Sequence, residues 1–320
     1  MLQSHVCAGI VSASLLALGA PGALAQDYPS KPIRIMTSAA GGGGDFTTRL
    51  VAGGITGPLG QQVIVDNRAS AVIAAELVSK TPPDGHTLLV GSAILWVTPM
   101  LRKAPFDVEK DFSPIVLIER SPNIVTVHPS LPVKSIKDLI GLAKARPGEL
   151  YYGSSGVASA DHITAELFKF MSGVNIVHVP YKGIAPAHAA LLGGEVQIAF
   201  GSIASAAPHV KSGRMRALAV TSAQPSALVP GLPPVADTVP GCEFVAITGI
   251  WAPAKTPKAV IDRLSQEILR VINQPDVKAR FLAAGVETVG LAPEQFAEHI
   301  RNDISRIGKV IKDAGIKVDY

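Results

Sequence analysis

Short runs of β-branched and other apolar residues alternate along this chain with helix-like patterns. Strand-like runs lie at 33–36, 63–65, 87–90, 115–118, 124–127, 176–179, 196–200 and 217–221, and helical patterns lie between many of them, at 46–59, 72–80, 136–145, 161–171 and 187–192. This alternation is typical of βαβ units, in which helices cover the faces of a parallel sheet. Because 320 residues exceed a typical domain of ~100–200 residues, we expect two α/β domains.

The last fifth of the chain has a different pattern, with helix-like stretches at 259–273, 277–284 and 293–313. In the last stretch apolar residues keep a spacing of three to four positions, which predicts one stripe packed on a core. The stripe consists of Phe296, Ile300, Ile304, Ile307 and Ile311.

The N-terminal residues predict export. Residues 6–20 are largely apolar, and Ala23-Leu24-Ala25 fits the small-x-small pattern of a secretory cleavage site. The apolar run is too short and too interrupted for a membrane span. We expect a signal peptide of residues 1–25, a mature chain that begins at Gln26, and a periplasmic location. Cys242 is then the only mature cysteine, which excludes an intrachain disulfide.

Charge and motifs exclude several classes of function. The formal net charge is only +4 and no run of Lys or Arg occurs, so neither nucleic acid nor a membrane surface is an expected partner. The chain has no phosphate-loop ending, no Gly-x-Ser-x-Gly elbow and no paired histidine spacing for a metal. We therefore expect no cofactor and no metal.

A glycine run follows the first strand-like segment: Ala39, Ala40, Gly41, Gly42, Gly43, Gly44 and then Asp45. Without side chains in the way, backbone N–H groups at a helix N-terminus approach an anion closely. A tight turn between strand and helix is the alternative. Asp45 is either a ligand contact, for example to an ammonium group, or a first-turn carboxylate favoured by the helix dipole.

Two later segments have the same layout. Ser155, Gly156 and Ser159 precede a helical pattern, and Tyr181, Lys182 and Gly183 follow a strand-like run. In open α/β sheets, ligands bind at the carboxyl ends of strands. Helix capping by the serines and a solvated lysine are the alternatives.

His162, close to these serines, is the one candidate general base. A periplasmic serine hydrolase that uses Ser155 or Ser159 with His162 is therefore the alternative from a different class of protein. Binding without chemistry is the interpretation that the remaining residues favour.

A set of short motifs, in order along nearly the whole mature chain, resembles the Bug family, the extracytoplasmic solute receptors of tripartite tricarboxylate transporters. The motifs are Pro29-Ser30-Lys31-Pro32-Ile33, 41–45, Asn67-Arg68, 83–89, Asp111-Phe112-Ser113-Pro114, Tyr152-Gly153-Ser154, 178–183, Leu192-Gly193-Gly194, 216–221 and 252–257.

The resemblance implies a type II periplasmic-binding-protein fold, with two α/β lobes, two crossing strands and a ligand cleft between the lobes. It implies a first lobe of residues 27–121 plus 249–320 and a second lobe of residues 122–248, with crossings near Asn123 and Ile250. On the first lobe it places residues 39–45 and Ser92 at the cleft. On the second it places Ser154 to Ser159, with His162 beside them, Tyr181 to Gly183, and Ser202.

The implied function is a monomeric receptor that presents a small carboxylate, either a di- or tricarboxylate or an aromatic acid, to membrane components of such a transporter. A receptor for an amino acid or a neutral nitrogen heterocycle is the nearer alternative. Three departures from the family pattern alter the walls of the pocket: Thr37 and Ser38 replace a proline and a phenylalanine, residues 69–73 form a short loop without glycines, and Thr248 replaces an aromatic residue.

Overall fold

The structure is a computed structural model that describes residues 28–41, 43–101, 103–157 and 159–313. The predicted signal peptide, its cleavage site and Gly42 lie outside these residues. Within the described ranges, no helix is long and apolar enough to cross a membrane.

The strands are β1 (Ile33–Thr37), β2 (Val63–Asn67), β3 (Thr87–Ser92), β4 (Phe112–Val127), β5 (Tyr151–Ser154), β6 (Val177–Pro180), β7 (Ile198–Ser202), β8 (Arg216–Val220), β9 (Val245–Pro253) and β10 (Glu287–Leu291).

The helices are α1 (Gly43–Leu59), α2 (Ala71–Ser79), α3 (Ile94–Leu101), α4 (Val108–Asp111), α5 (Ile136–Ala145), α6 (Ala160–Ser172), α7 (Ile184–Gly193), α8 (Ile203–Lys211), α9 (Lys258–Ile272), α10 (Pro275–Ala283) and α11 (Pro293–Asp313).

The strands form two sheets that share β4. In the first sheet, β1 pairs in parallel with β2 and β3, while β9 runs antiparallel to β3 and β4. In the second sheet, β5 pairs in parallel with β6 and β7, and β4 runs antiparallel to β7 and β8. We call the parts built on these sheets the first and second lobe.

β4 passes from one sheet to the other within a single strand. Its residues up to Pro122 pair with β9, and from Asn123 onward they pair with β7 on one side and β8 on the other. At the start of β9, the N–H of Phe244 donates to the carbonyl of Thr221 in the second lobe at 3.0 Å. Two strands therefore cross between lobes, and the α/β class is confirmed. The exact lobe boundaries stay a prediction.

Alternate residues of the first sheet enter two different cores. Leu88 and Ile250 pack with α1 and α9 on one face, whereas Leu89 and Trp251 pack with α3 and α11 on the other. This alternation follows from the two-residue period of a strand. The predicted stripe of α11 lies in the second of these cores: Phe296, Ile300, Ile307 and Ile311 are buried there, and Ile304 is partly buried.

The elements differ from the sequence prediction mainly around β4. The runs 115–118 and 124–127 belong to one strand, and the segment 151–154, which is not among the predicted strands, forms β5. Polar residues such as Arg120 interrupt the apolar pattern of β4, but its backbone pairs on both sides with β9 and β10. The predicted parallel pairing occurs among β1, β2 and β3 and among β5, β6 and β7, whereas the crossing strands β4 and β9 run antiparallel to their neighbours.

Gly249 tests the packing of α11 on the crossing strand. A Cβ atom at this position would lie 2.4 Å from Cζ of Phe296 and 3.0 Å from the carbonyl oxygen of Val116. Gly249→Ala should therefore lower the free energy of unfolding by about 1–3 kcal/mol. Urea unfolding of the two proteins measures the difference.

Gly53→Ala is the matched control. Gly53 lies within α1 and is exposed, and an added Cβ meets nothing within 4 Å. Alanine should raise the free energy of unfolding there by up to about 1 kcal/mol, because it favours the helix. Equal effects of the two substitutions would contradict the packing described for Gly249.

Candidate functional site

The glycine run of the first lobe forms an exposed loop between β1 and α1. Ala39, Ala40, Gly41 and Gly43 are exposed, and Gly41 has a φ of 82°, a left-handed conformation that favours glycine. Gly44 is close-packed, since a Cβ there would lie 3.1 Å from Oγ1 of Thr37. The loop therefore presents backbone rather than side chains at the N-terminus of α1.

Asp45 fastens this loop to its own helix. Its Oδ2 accepts from the N–H of Gly41 at 2.9 Å, and its Oδ1 accepts from Nδ2 of Asn67 at 2.9 Å and lies 3.0 Å from Nε of Arg49. The hydrogen bonds from Gly41, Arg49 and Asn67 lower the pKa of the carboxyl to about 2. Both oxygens of Asp45 are thus used within the chain, as expected of a first-turn carboxylate.

The Asn67-Arg68 motif holds the other side of the same loop. Nδ2 of Asn67 also donates to the carbonyl of Ser38 at 2.9 Å, and the N–H of Arg68 donates to the carbonyl of Thr37 at 2.9 Å. The chain segments after β1 and β2 are therefore joined where the ligand is expected to bind.

In the second lobe, two of the predicted segments lie side by side. The N–H of Tyr181 donates to the carbonyl of Ser154 at 2.9 Å, and the N–H of Gly183 donates to the carbonyl of Ser155 at 3.1 Å. These bonds extend the parallel pairing of β5 and β6 past the ends of both strands. Segments far apart in sequence thereby form one edge.

Asp161 has the same role here as Asp45 has in the first lobe. It is buried in the first turn of α6, and its carboxylate accepts from both the N–H and the hydroxyl of Ser155, the latter at 2.7 Å. The hydroxyl proton of Ser155 is thus committed to Asp161, and direct donation to a ligand oxygen requires this bond to break. Ser155 as a ligand contact stays a prediction.

Two other serines cap helices. The Oγ of Ser159 accepts from the N–H of His162 at 3.4 Å and donates to the carbonyl of Gly156 at 2.6 Å. The Oγ of Ser202 accepts from the N–H of Ser205 at 3.3 Å at the start of α8. Capping, one of the alternatives that the sequence left open, therefore occurs at both serines.

Lys182 is the charged side chain at this edge. It is exposed and forms no ion pair or hydrogen bond with another residue of the described part of the chain. It precedes Gly183, the N-cap of α7, which has a φ of 115°. A free ammonium group thus adjoins a helix N-terminus, where anions are favoured.

Behind this edge lies a stack of aromatic rings. The rings of His162 and His178 are 4.0 Å apart and nearly parallel, and Tyr152 stacks on His178 at 4.9 Å. Nε2 of His178 lies 2.6 Å from the hydroxyl of Ser154. Burial lowers the pKa of His178 to about 4 and also lowers the pKa of His162, so both rings are neutral at pH 7.

The structure brings the predicted residues together within each lobe. Ala39, Ala40 and Gly41 lie in the loop before α1, Gly43 and Asp45 lie in the first turn of that helix, and Ser92 lies at the end of β3, one strand away. Ser154 to Gly156, Ser159, His162 and Tyr181 to Gly183 adjoin one another in the second lobe, and Ser202 is the N-cap of α8 there. Their roles as ligand contacts stay predictions.

Sequence reasoning missed the buried groups that support these loops, namely Asp161, His178 and Tyr152. Asp161 had a detectable signal: like Asp45, it is an aspartate in the first turn of a helix that follows a glycine- and serine-containing loop. The histidine stack had none, because its partners come from separate elements.

A fold of two α/β lobes joined by crossing strands, with fastened loops at the strand ends, defines a binding protein of the periplasmic type. Residues 47–316 match the family described as tripartite tricarboxylate transporter family receptor. The chain is 36% identical over 308 residues to a UPF0065 protein of Bordetella bronchiseptica, covering 95% of this chain and 91% of that protein.

The comparison with solved structures leads to the same class of protein. The chain is similar to R. palustris Rpa4515 with adipate, with a TM-score of 0.73, 35% identity and coverage of 91% of this chain and 99% of the other. It is also similar to MatC from Rhodopseudomonas palustris with bound malate, with a TM-score of 0.66, 27% identity and coverage of 89% and 100%. The protein belongs to the tripartite tricarboxylate transporter receptor family. The two-lobe fold and the interpretation as a receptor rather than an enzyme are confirmed.

Asp45→Asn tests the fastening of the first loop. An amide in place of the carboxylate cannot accept both sets of hydrogen bonds, so at pH 7 the free energy of unfolding should fall by about 1–2 kcal/mol. Because the folded pKa of Asp45 is about 2 against an ordinary 3.8, its contribution is complete above pH 4 and is lost as the pH falls toward 2. The difference between variant and wild type should therefore shrink over that interval in urea unfolding.

Asp262→Asn is the control, since Asp262 forms an exposed ion pair with Lys258 on α9. It should change the free energy of unfolding by less than about 0.5 kcal/mol. A cost of Asp45→Asn that stays constant from pH 7 to pH 2.5 would show that its carboxylate charge does not hold the loop.

Proposed function

We propose that this protein is an exported, periplasmic receptor that captures a small carboxylate between its lobes and presents it to membrane components of a tripartite tricarboxylate-type transporter. The observation that carries the proposal is the edge of the second lobe. There the exposed, unpaired Lys182, the N-terminus of α7 and the glycine-containing segment at Gly156 adjoin one another. Backbone N–H groups, a helix dipole and an ammonium group together favour an anion.

The glycine run of the first lobe supplies the second half of the proposed site. Its exposed backbone lies at the N-terminus of α1, and Asp45 and Asn67 hold it in place without covering it. A preorganised loop loses little conformational freedom on binding, and this favours affinity for a small ligand. Most of the predicted contacts are proposed here: residues 39–43 and Ser92 on one side, and 154–159 and 181–183 on the other. Asp45, His162 and Ser202, which were also predicted as contacts, are proposed to support the site instead.

The names of similar proteins point to the same ligand class. Adipate is bound in the structure of Rpa4515 and malate in that of MatC, and both acids are dicarboxylates. We therefore place dicarboxylates first among candidate ligands, with aromatic acids next.

Two of the alternatives, the serine hydrolase and the amino-acid receptor, are less well supported. In a hydrolase, a serine hydroxyl donates its proton to a histidine, whereas Ser155 donates to Asp161 and Ser159 donates to a backbone carbonyl. An amino-acid receptor needs a free carboxylate for the ligand ammonium, and both oxygens of Asp45 are already used by Gly41, Asn67 and Arg49.

Presentation to a transporter requires that the bound form differ from the free form. A ligand that touches both lobes binds a closed arrangement better than an open one, and this difference in affinity drives closure. We propose that β4 and β9 bend near Asn123 and Ile250 in this motion, so that membrane components distinguish loaded from empty receptor.

A panel of adipate, malate, succinate, benzoate and phthalate tests the function. At about 100 times its dissociation constant, a ligand stabilises the native state by ~2.7 kcal/mol, which corresponds to a rise in Tm of roughly 5 °C for a chain of this size. We expect at least one acid to produce this shift and to reduce the radius of gyration in X-ray scattering. Stabilisation without compaction would contradict closure, and no stabilisation by any acid would contradict the ligand class.

Lys182→Gln and Lys211→Gln are matched variants for the same assay. Both lysines are exposed on the second lobe, but Lys211 lies in the last turn of α8, away from the proposed site. The Lys182 variant should lose part of the Tm shift, and the Lys211 variant should keep it.

A further inference from the structure

A polar row crosses the first sheet at its cleft end. Ser92 of β3 pairs with Thr248 of β9, and Thr248 pairs with Glu119 of β4. Directly paired residues of neighbouring strands lie on the same face of a sheet. Ser92 and Thr248 are partly exposed, whereas Glu119 is only 5% exposed. The row thus leads from the predicted ligand site to a buried carboxyl group.

The face that carries this row is the one covered by α1. Thr47 of α1 is fully buried and its hydroxyl approaches the Glu119 carboxyl. Neither Oγ1 of Thr47 nor Oε2 of Glu119 has a hydrogen-bond partner among the described residues. Among the described residues, the hydroxyls of Thr47 and Thr248 are therefore the polar groups that approach this buried carboxyl, and a carboxylate charge there is only partly compensated.

Among the residues that the structure describes, no basic side chain forms an ion pair with Glu119. The charged groups on the elements packed around it are paired with one another: Asp45 with Arg49 on α1, Glu287 of β10 with Arg120 of β4, and Glu267 with Arg263 and Arg270 on α9. Burial raises the pKa of Glu119 to about 7, although the hydroxyls of Thr248 and Thr47 lower it somewhat. The carboxyl therefore exists in both protonation states near neutral pH.

The glycine loop lies close to this group. Gly43 and Thr47 are four residues apart on α1, so they lie on the same side of the helix, about 6 Å apart along its axis. An anion held by the loop would stand near the Glu119 carboxyl at a partly desolvated place, where two negative charges repel strongly.

We propose that Glu119 takes up one proton from solvent when an anionic ligand binds at the loop of residues 39–43, so that this receptor binds the acid and a proton together. The inference rests on the proposed function, because it requires an anionic ligand. The protonated carboxyl has a hydrogen to donate, either to the ligand or to the neighbouring hydroxyls of Thr47 and Thr248.

The proposal fixes the direction in which the affinity for the ligand changes with pH. The ligand raises the pKa of Glu119 in the complex, so the protonated protein binds better. Affinity should be nearly constant below pH 7 and fall above it, by up to about tenfold per pH unit. A cationic or zwitterionic ligand whose ammonium group faced Glu119 would produce the opposite trend.

Calorimetry of the wild-type protein is the first test. The probe is the panel acid with the largest Tm shift, titrated between pH 7 and 8.5, where both groups of a dicarboxylic acid are almost fully ionised. The apparent enthalpy in buffers of different ionisation enthalpy gives the number of protons taken up. We expect a fraction of one proton per ligand near pH 7, because burial raises the pKa of free Glu119 to about 7, and a larger fraction at pH 8.

Glu119→Gln is the second test, since glutamine has the shape of the protonated acid. The variant should match wild type at pH 6, take up no proton through this position, and bind up to about tenfold more tightly than wild type at pH 8. A substitution that only damaged the fold would not make the acid bind more tightly. Glu76→Gln, which removes an exposed carboxylate of α2, should keep the wild-type pH profile.

The outcomes separate the two proposals. If no panel acid binds, the proposed function fails and this inference fails with it. If an acid binds but the uptake is zero, or Glu119→Gln keeps the wild-type pH profile, the function stands and the role of Glu119 is wrong. Should the variant not fold, the buffer dependence of the wild-type enthalpy alone decides.

Discussion

The backbone pairing of β4 is the constraint on which the rest of the structure depends. This strand of 16 residues supplies hydrogen bonds to β9 and β10 in one sheet and to β7 and β8 in the other. Its register shifts between Pro114 and Val116 and again between Leu117 and Glu119, and such irregularities increase the local twist of a strand. The loops at the ends of β1 and β5 thus owe their relative positions to β4 and to β9, the second crossing strand, which pairs with it.

The two lobes hold their exposed backbone loops in place in the same way. A loop that contains glycine is flexible and binds weakly unless something orders it. Here Asp45 and Asp161, each in the first turn of the following helix, accept hydrogen bonds from the loop and are favoured by the helix dipole. Each carboxylate orders its loop by accepting a hydrogen bond from a backbone N–H group, and Asp161 also accepts one from the hydroxyl of Ser155. The exposed remainder of each loop stays available to a ligand.

Much of the architecture was predictable because it rests on local patterns: α5 and α11 have the predicted bounds, and β1 differs by one residue. The full length of β4 was not predictable from the sequence, because polar residues near Arg120 interrupt its apolar run. The strand continues there only because it pairs with strands that are distant in sequence. The strand β10 was missed for the same reason. At the site, the glycine and serine segments were found from their layout. The commitment of the Ser155 hydroxyl to Asp161 and the burial of Glu119 depend on tertiary contacts.

The central claim is that one small acid is held by both lobes at once. Amide resonances of isotope-labelled protein, followed while the best-stabilising panel acid is added, test it directly. The account predicts that Gly41 and Gly43 of the first lobe and Gly156 and Gly183 of the second all shift, with a common titration midpoint. If the glycines of only one lobe shift at saturation, or the two sets have different midpoints, the ligand is not shared between the lobes and the account is wrong.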